Sequence, residues 1–176
     1  MNYRDNLRAA MNEIAKCPRA IFLGQSIRYG GNEISKTLAD IAEDRKIELP
    51  LIEDTQMGIA IGLSLQGYLP ISVYPRFDFF MLSINQLVNH LDKIYSMSKG
   101  KANPKVIIRV AVGSKFPINA GAQHTQDHSK TFRRMLSNVD LVNLRDSSNI
   151  IKEYLSAINS ARSTILVEYY EKYNRE

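Results

Sequence analysis

Tryptophan is absent from the 176 residues, and cysteine occurs once, at Cys17. A single thiol makes neither an internal disulfide nor a thiolate metal cluster, a usage that suits a reducing compartment. No apolar run reaches the roughly 18 residues of a membrane helix. The opening MNYRDNLRAAMNEIAK carries both charge signs where a secretory signal needs an apolar stretch. These absences predict a soluble, cytoplasmic protein with no membrane partner. Apolar residues, in contrast, are not scarce: 44% hydrophobic against 23% charged is ordinary globular composition and excludes intrinsic disorder as the main description. The length suits one compact domain and is short for a two-domain enzyme. No repeat, low-complexity segment or Pro/Gly/Ser linker divides it, so one domain is expected over 1–176.

Acid is scarce in one segment. Residues 93–134 hold nine lysines and arginines (Lys93, Lys99, Lys101, Lys105, Arg109, Lys115, Lys130, Arg133, Arg134) against Asp127 alone, a local charge of +8 within an overall +5. Such a segment serves nucleic acid, an anionic substrate or an acidic partner, and an ordinary solvated surface explains it equally well. No aromatic residue lies between Tyr95 and Phe116, which removes the stacking platforms of single-stranded nucleic acid binding and sets nucleic acid aside. Lys115 is the best placed of the nine for a substrate entrance or a partner surface.

Hydrophobic periodicity predicts alternating elements. A helix with Leu7, Met11 and Ile14 on one face precedes a strand AIFLG at 20–24. Then come a helix near 33–45, a strand near 49–51, a helix from about 55 and a strand LPISVY at 69–74. A helix near 81–97, a strand KVIIRV at 105–110 and a long loop follow. The chain closes with a helix near 129–136, DLVNL, a helix near 148–160 and the strand STILVEYY. This order predicts an open, doubly wound α/β domain, its mostly parallel sheet covered on both faces. Ligands of such folds gather beyond the carboxyl ends of the strands, here around 25–31, 52–55, 75–79 and 111–128.

The motifs in those loops are individually weak. Gly24, Gly30 and Gly31 around QSIRY match neither a dinucleotide fingerprint nor a P-loop and read as turn glycines. Gly58 and Gly62, one turn apart in GIAIGLSLQG, permit close helix packing within the chain or against another subunit. His124 and His128 in HTQDH would share a helix face. Thr125, however, stands where a zinc protease places Glu, so no metal site is expected. His124 follows the loop VGSKFPINAGAQ and suits a substrate contact as well as a structural role, while His90 reads as structural. Glu53, in LPLIEDTQMGIAIG, sits after a short strand at the mouth of an apolar helix. Burial there raises a carboxyl pKa and a helix N-terminus lowers it, so taken alone Glu53, like Asp54, also reads as a helix cap.

Together, FLGQSIRYGG, LPLIEDTQMGIAIGLSLQGYLPI, FDFFMLSINQLVNHLDK, VIIRVAVG, the GAQHTQ loop and ILVEYYEKYN resemble, in order and spacing, the pyrimidine-binding domain of thiamine diphosphate enzymes. The resemblance is greatest to the beta subunit of 2-oxo acid dehydrogenase decarboxylase components, with transketolase a more distant relative. It implies a thiamine diphosphate cofactor and assigns Glu53 to a ring nitrogen of its aminopyrimidine. That proton sharing favours the imino tautomer that generates the nucleophilic ylide. Phe79 matches the aromatic stacked on the aminopyrimidine, with Phe77 beside it, and Leu51 lines the same pocket. His124 matches a loop histidine near the substrate.

Two acids usual in the family are replaced by Gln25 and Asn85, which puts proton transfer between paired active sites in doubt. The diphosphate-and-magnesium domain, with its Gly-Asp-Gly motif, and a C-terminal domain do not fit in this length. The resemblance therefore implies an alpha-type partner carrying diphosphate and magnesium, in a heterotetramer acting on a small-molecule substrate. The expected activity is cleavage or transfer of a two-carbon or acyl unit from a 2-oxo acid or ketose donor. The alternatives are a two-subunit transketolase or decarboxylase and a non-catalytic assembly module that keeps the fold.

Overall fold

The computed structural model describes residues 2–30, 32–116 and 118–173. Gly31, read above as a turn glycine, lies outside them, as do Pro117 of the long loop and Asn174 of the last block. Strands β1 (Ala20–Gly24), β2 (Lys46–Glu48), β3 (Leu69–Tyr74), β4 (Ile107–Val112), β5 (Val139–Asn143) and β6 (Ser163–Tyr169) form one sheet in the order β2-β1-β3-β4-β6-β5. Every pairing is parallel. The helices are α1 (Tyr3–Ala15), α2 (Glu33–Lys36), α3 (Glu53–Leu65), α4 (Phe77–Phe80), α5 (Ile94–Met97), α6 (Ser129–Met135), α7 (Ile150–Asn159) and α8 (Tyr170–Tyr173). One core packs α1, α7 and the Ile34–Ile41 stretch on one sheet face; the other packs α3, α4 and α6 on the opposite face. The doubly wound α/β class expected from the alternation is the fold observed.

Four predicted elements differ in detail. The strand near 49–51 lies at Lys46–Glu48: Leu49 still donates to Gly24 O at 2.9 Å, and Pro50, with no amide hydrogen, ends the ladder. The helix near 33–45 shrinks to four residues because i−3 bonds at Thr37, Leu38 and Ile41 tighten the chain into turns. The helix near 81–97 starts earlier, at Phe77, and contains a wide π-type stretch at Gln86–Leu91 closed by Asp92 N donating to Leu87 O. The buried Asp92 carboxylate then accepts the amides of Ser137, Asn138 and Val139 at the entry to β5. The strand expected at 105–110 starts at Ile107, because the Lys105 and Val106 amides go to the hydroxyls of Ser64 and Ser163.

Arg109 and Glu168 are fully buried on the α1 and α7 side of the sheet. Alternation along β4 turns Arg109 to the same face as Ile107 and Ala111, and β6 turns Glu168 to meet it. Arg109 Nε and Nη2 donate to the two carboxylate oxygens at 2.7 and 3.0 Å, and Nη2 also donates to Thr37 Oγ1 at 3.0 Å. Tyr154 of α7 and Tyr173 of α8 each donate to one oxygen of Glu168. Burial alone lowers the Arg109 pKa, but the charge and hydrogen bonds of Glu168 hold it well above the usual value. Burial and the Glu168 charge push the Tyr154 and Tyr173 hydroxyls far up.

An uncompensated buried charge is expensive, so Arg109→Met should destabilise the fold by about 3–5 kcal/mol in urea titration. The double variant R109M/E168L should lose much less than the two single losses added together. A single variant of wild-type stability would contradict this account.

Candidate functional site

The strand order reverses direction between β1 and β3, since the chain goes from β1 outward to β2 and then crosses to β3 on the other side. Loops leaving β1 and β3 diverge there and open a crevice at the carboxyl ends of the strands. A cavity of about 370 Å³ occupies it, lined by residues after β1 (Gln25, Ser26), after β2 (Pro50, Leu51), on α3 (Glu53, Gln56) and after β3 (Pro75, Arg76, Phe79), together with Asn32, Tyr74 and His124. All four loop regions expected to hold ligand contribute to it.

Two close approaches shape its floor. Gly24 ends β1 so near β3 that a Cβ would stand 2.4 Å from Val73 O, a backbone contact no side chain tolerates. The next turn is fixed by Glu48, whose carboxylate accepts the amides of Ser26, Ile27 and Arg28 at 2.5, 2.9 and 2.9 Å. Ser26 takes a positive φ of 55° to complete that cradle. Gln25 and Ser26 are thereby held at the cavity wall.

Glu53 is the first residue of α3, and Ile52 precedes it as an N-cap without a side-chain acceptor. Neither Glu53 nor Asp54 is the cap residue. Asp54, one position on, faces Gln86 Nε2 at 3.5 Å. The Glu53 backbone carbonyl faces Tyr74 Oη at 3.5 Å, and among the described residues its carboxylate has no hydrogen-bond or ion-pair partner. Behind it, Gln56 is buried and donates to Ser72 Oγ and Val73 O, both at 3.0 Å. Leu51 is 67% exposed beside the cavity.

Phe79 and Phe77 part company. Phe79 is 39% exposed and lines the cavity, whereas Phe77 is fully buried against Phe80, Phe132 and His128. Phe77, expected to share a pocket with Phe79, does not line this cavity, because two residues along a helical turn point to different faces. His124 meets Phe79 edge to face, 5.3 Å between centroids at 83°. Its loop is tied down because Asp78 Oδ1 accepts from Gln126 Nε2 at 2.8 Å. The close approach of Gly113 fixes it further, since a Cβ there would lie 1.8 Å from His124 O. His124 and His128 share no helix face: the first ends a 3₁₀ turn, and the second precedes α6 and packs on Phe77.

Other residues singled out from the sequence lie elsewhere. Lys115 is exposed on its loop and does not line the cavity; the cationic side chain that does is Arg76, which sequence reasoning missed. Its position directly after β3, in YPRFDFF, was the available signal. Asn85 is exposed and accepts from Asn89. The basic segment is not all free surface charge, because Arg109 is internal, Lys93 pairs with Asp92 and Lys105 donates to Ile158 O. No close helix contact uses Gly58 and Gly62 among the described residues: Gly62 faces open space, and the nearest atoms to Gly58 are those of Gln86 at 3.9 Å.

A parallel sheet with helices on both faces and a ligand-sized crevice at its switch point defines an open, doubly wound α/β binding domain. The family model described as "Transketolase, pyrimidine binding domain" matches residues 1–175, and the chain belongs to this thiamine diphosphate-dependent family. A similar relative is the mitochondrial pyruvate dehydrogenase E1 component subunit beta of Caenorhabditis elegans, 33% identical over 133 residues covering 73% of this chain and 37% of that one. The Saccharomyces cerevisiae counterpart is 33% identical over 133 residues, covering 73% and 36%. A solved chain described as "Split gene transketolase, inactive beta4 tetramer" shares the fold with a TM-score of 0.72 at 17% identity, covering 96% of this chain and 51% of that one. The present chain thus spans little more than a third of those dehydrogenase subunits. Both subunits are mitochondrial by name, which overturns the cytoplasmic placement; one thiol and a charged opening do not separate cytosol from mitochondrion.

Gly113→Ala should push the His124 loop away and cost about 1–3 kcal/mol by overpacking. The ring-current shift that Phe79 imposes on the His124 imidazole protons, read by NMR, should shrink. An unmoved His124 signal in a variant of wild-type stability would contradict the assigned contact.

Proposed function

We propose that the chain is the pyrimidine-binding, beta-type half of a split thiamine diphosphate-dependent enzyme that cleaves or transfers a two-carbon or acyl unit from a 2-oxo acid or ketose donor. The reading is carried by the Glu53 carboxyl at the mouth of α3, unpartnered among the described residues and lining a cavity beside the exposed Leu51 and Phe79. This set fits an aminopyrimidine: a carboxyl for a ring nitrogen, and an aliphatic and an aromatic side chain for a flat ring. Bound there, the cofactor supplies a carbon nucleophile and electron sink for breaking a bond beside a carbonyl.

The chain's own residues then divide the work. Glu53 holds and shares a proton at the ring nitrogen. Leu51 and Phe79 orient the ring and exclude water from it. His124, kept edge-on to Phe79, hydrogen-bonds or protonates an oxygen of the donor. Diphosphate and magnesium fall to an alpha-type partner in a heterotetramer. Leu51 and Leu82 stand 67% and 62% exposed. A structural neighbour named as a split-gene transketolase is described as inactive in its β4 form.

Glu53→Gln, assembled with a diphosphate-domain chain, should leave the complex intact and lower turnover by about 10²–10⁴-fold, as expected when a proton-transfer group is removed. Intact assembly with unchanged turnover would instead identify a non-catalytic module.

A further inference from the structure

Arg76 carries a charge that the cavity does not spend. It is half-buried and lines the same cavity as Glu53, yet no carboxylate pairs with it among the described residues. Arg109 and Arg145, by contrast, pair with Glu168 and Asp127. The Arg76 guanidinium is also fixed in place. It lies 4.6 Å over the Tyr170 ring, and its Nη1 donates to Pro75 O at 2.9 Å. A Cβ on Gly113 would come within 3.8 Å of its Cδ, so no bulk intrudes there. A planar fork held by stacking loses little entropy when it takes up a planar or tetrahedral anion.

We propose that Arg76 is a specificity-determining residue that binds a non-reacting anionic group, a carboxylate or a phosphate, at the far end of the donor. This rests on the thiamine diphosphate reading above. In a 2-oxo acid donor the carboxylate next to the carbonyl leaves as carbon dioxide, so its charge disperses as the bond breaks. A cation on that group stabilises the ground state more than the transition state and opposes the reaction. A second anion that keeps its charge throughout contributes binding without this penalty. Gln25, neutral on the same wall, leaves Glu53 as the only carboxylate among the described residues lining the cavity to compete for the guanidinium.

The test uses the chain assembled with a diphosphate-domain partner, thiamine diphosphate and magnesium. Initial rates are compared for 2-oxoglutarate against 2-oxopentanoate, and for fructose 6-phosphate against fructose. Arg76→Met should raise KM for the anionic member of one pair by about 30-fold, the scale of one charge-assisted contact, with kcat within about threefold and the uncharged member unchanged. Arg76→Lys should recover part of the loss, and the pair that responds tells carboxylate from phosphate. A readout independent of turnover is NMR titration of the full chain with glutarate and with inorganic phosphate. Wild type should bind one of them, and R76M should not. Failure of cofactor binding in calorimetry would overturn the cofactor reading alone. Equal anion binding by wild type and R76M, or an unchanged KM in active R76M, would overturn the Arg76 assignment.

Discussion

Arg109 and Glu168 lie at the centre of the α1 and α7 layer, and the surrounding elements are positioned by them. The Glu168 carboxylate accepts from Arg109, Tyr154 and Tyr173, and the guanidinium reaches on to Thr37. Strands β4 and β6, helices α7 and α8 and the turn after α2 therefore meet at one ion pair. Removing two charges from water is costly, and the cost is offset only when geometry and extra hydrogen bonds are good. What such a pair supplies is register, since a slip of one residue in either strand would carry a charge to the wrong face.

That constraint extends to the candidate site. Tyr173 pins α8 from below, and Tyr170 of the same short helix lies beneath the Arg76 guanidinium at the cavity wall. Burial pushes the Tyr170 phenol up to about 12, with Arg76 opposing, so the ring stays neutral under the cation at ordinary pH. On the other side of the crevice, backbone contacts do the work: Gly24 against Val73, and the Glu48 cradle for the turn that carries Gln25 and Ser26. The cavity wall is thus held by scaffold contacts, and Leu51, Phe79 and His124 line it.

Much of this was legible in the residues. Apolar runs bounded by helical periodicity located β1, β3, β4 and β6, the strand expected at 49–51 fell three residues beyond β2, and the strand-end rule located the loops that line the cavity. Glu53 stood out because it follows a short strand at the mouth of an apolar helix, although its role rested on the resemblance, since alone it reads equally as a cap. Charge was harder to read. Counting placed Arg109 in a basic surface segment, whereas its period-two alignment with Ile107 and Ala111 sends it into the core, where its partner is 59 residues away. For the same reason Lys115 looked better placed than Arg76: loop position says nothing of which cation a neighbouring ring will hold. Phe77 and Phe79 could not be told apart without knowing that a helical turn begins at Phe77. The π-type stretch at Gln86–Leu91 depends on Asp92 reaching the entry to β5, a tertiary contact with no local signature.

The central claim is that this chain supplies one wall of a cofactor site completed by another polypeptide. Calorimetric titration of thiamine diphosphate and magnesium tests it most directly, run on the chain alone and on the chain assembled with a diphosphate-domain partner. The account predicts little or no heat with the chain alone and saturable one-to-one binding per assembled pair, weakened in Glu53→Gln. Tight binding to the isolated chain, or assembled binding indifferent to Glu53, would contradict it.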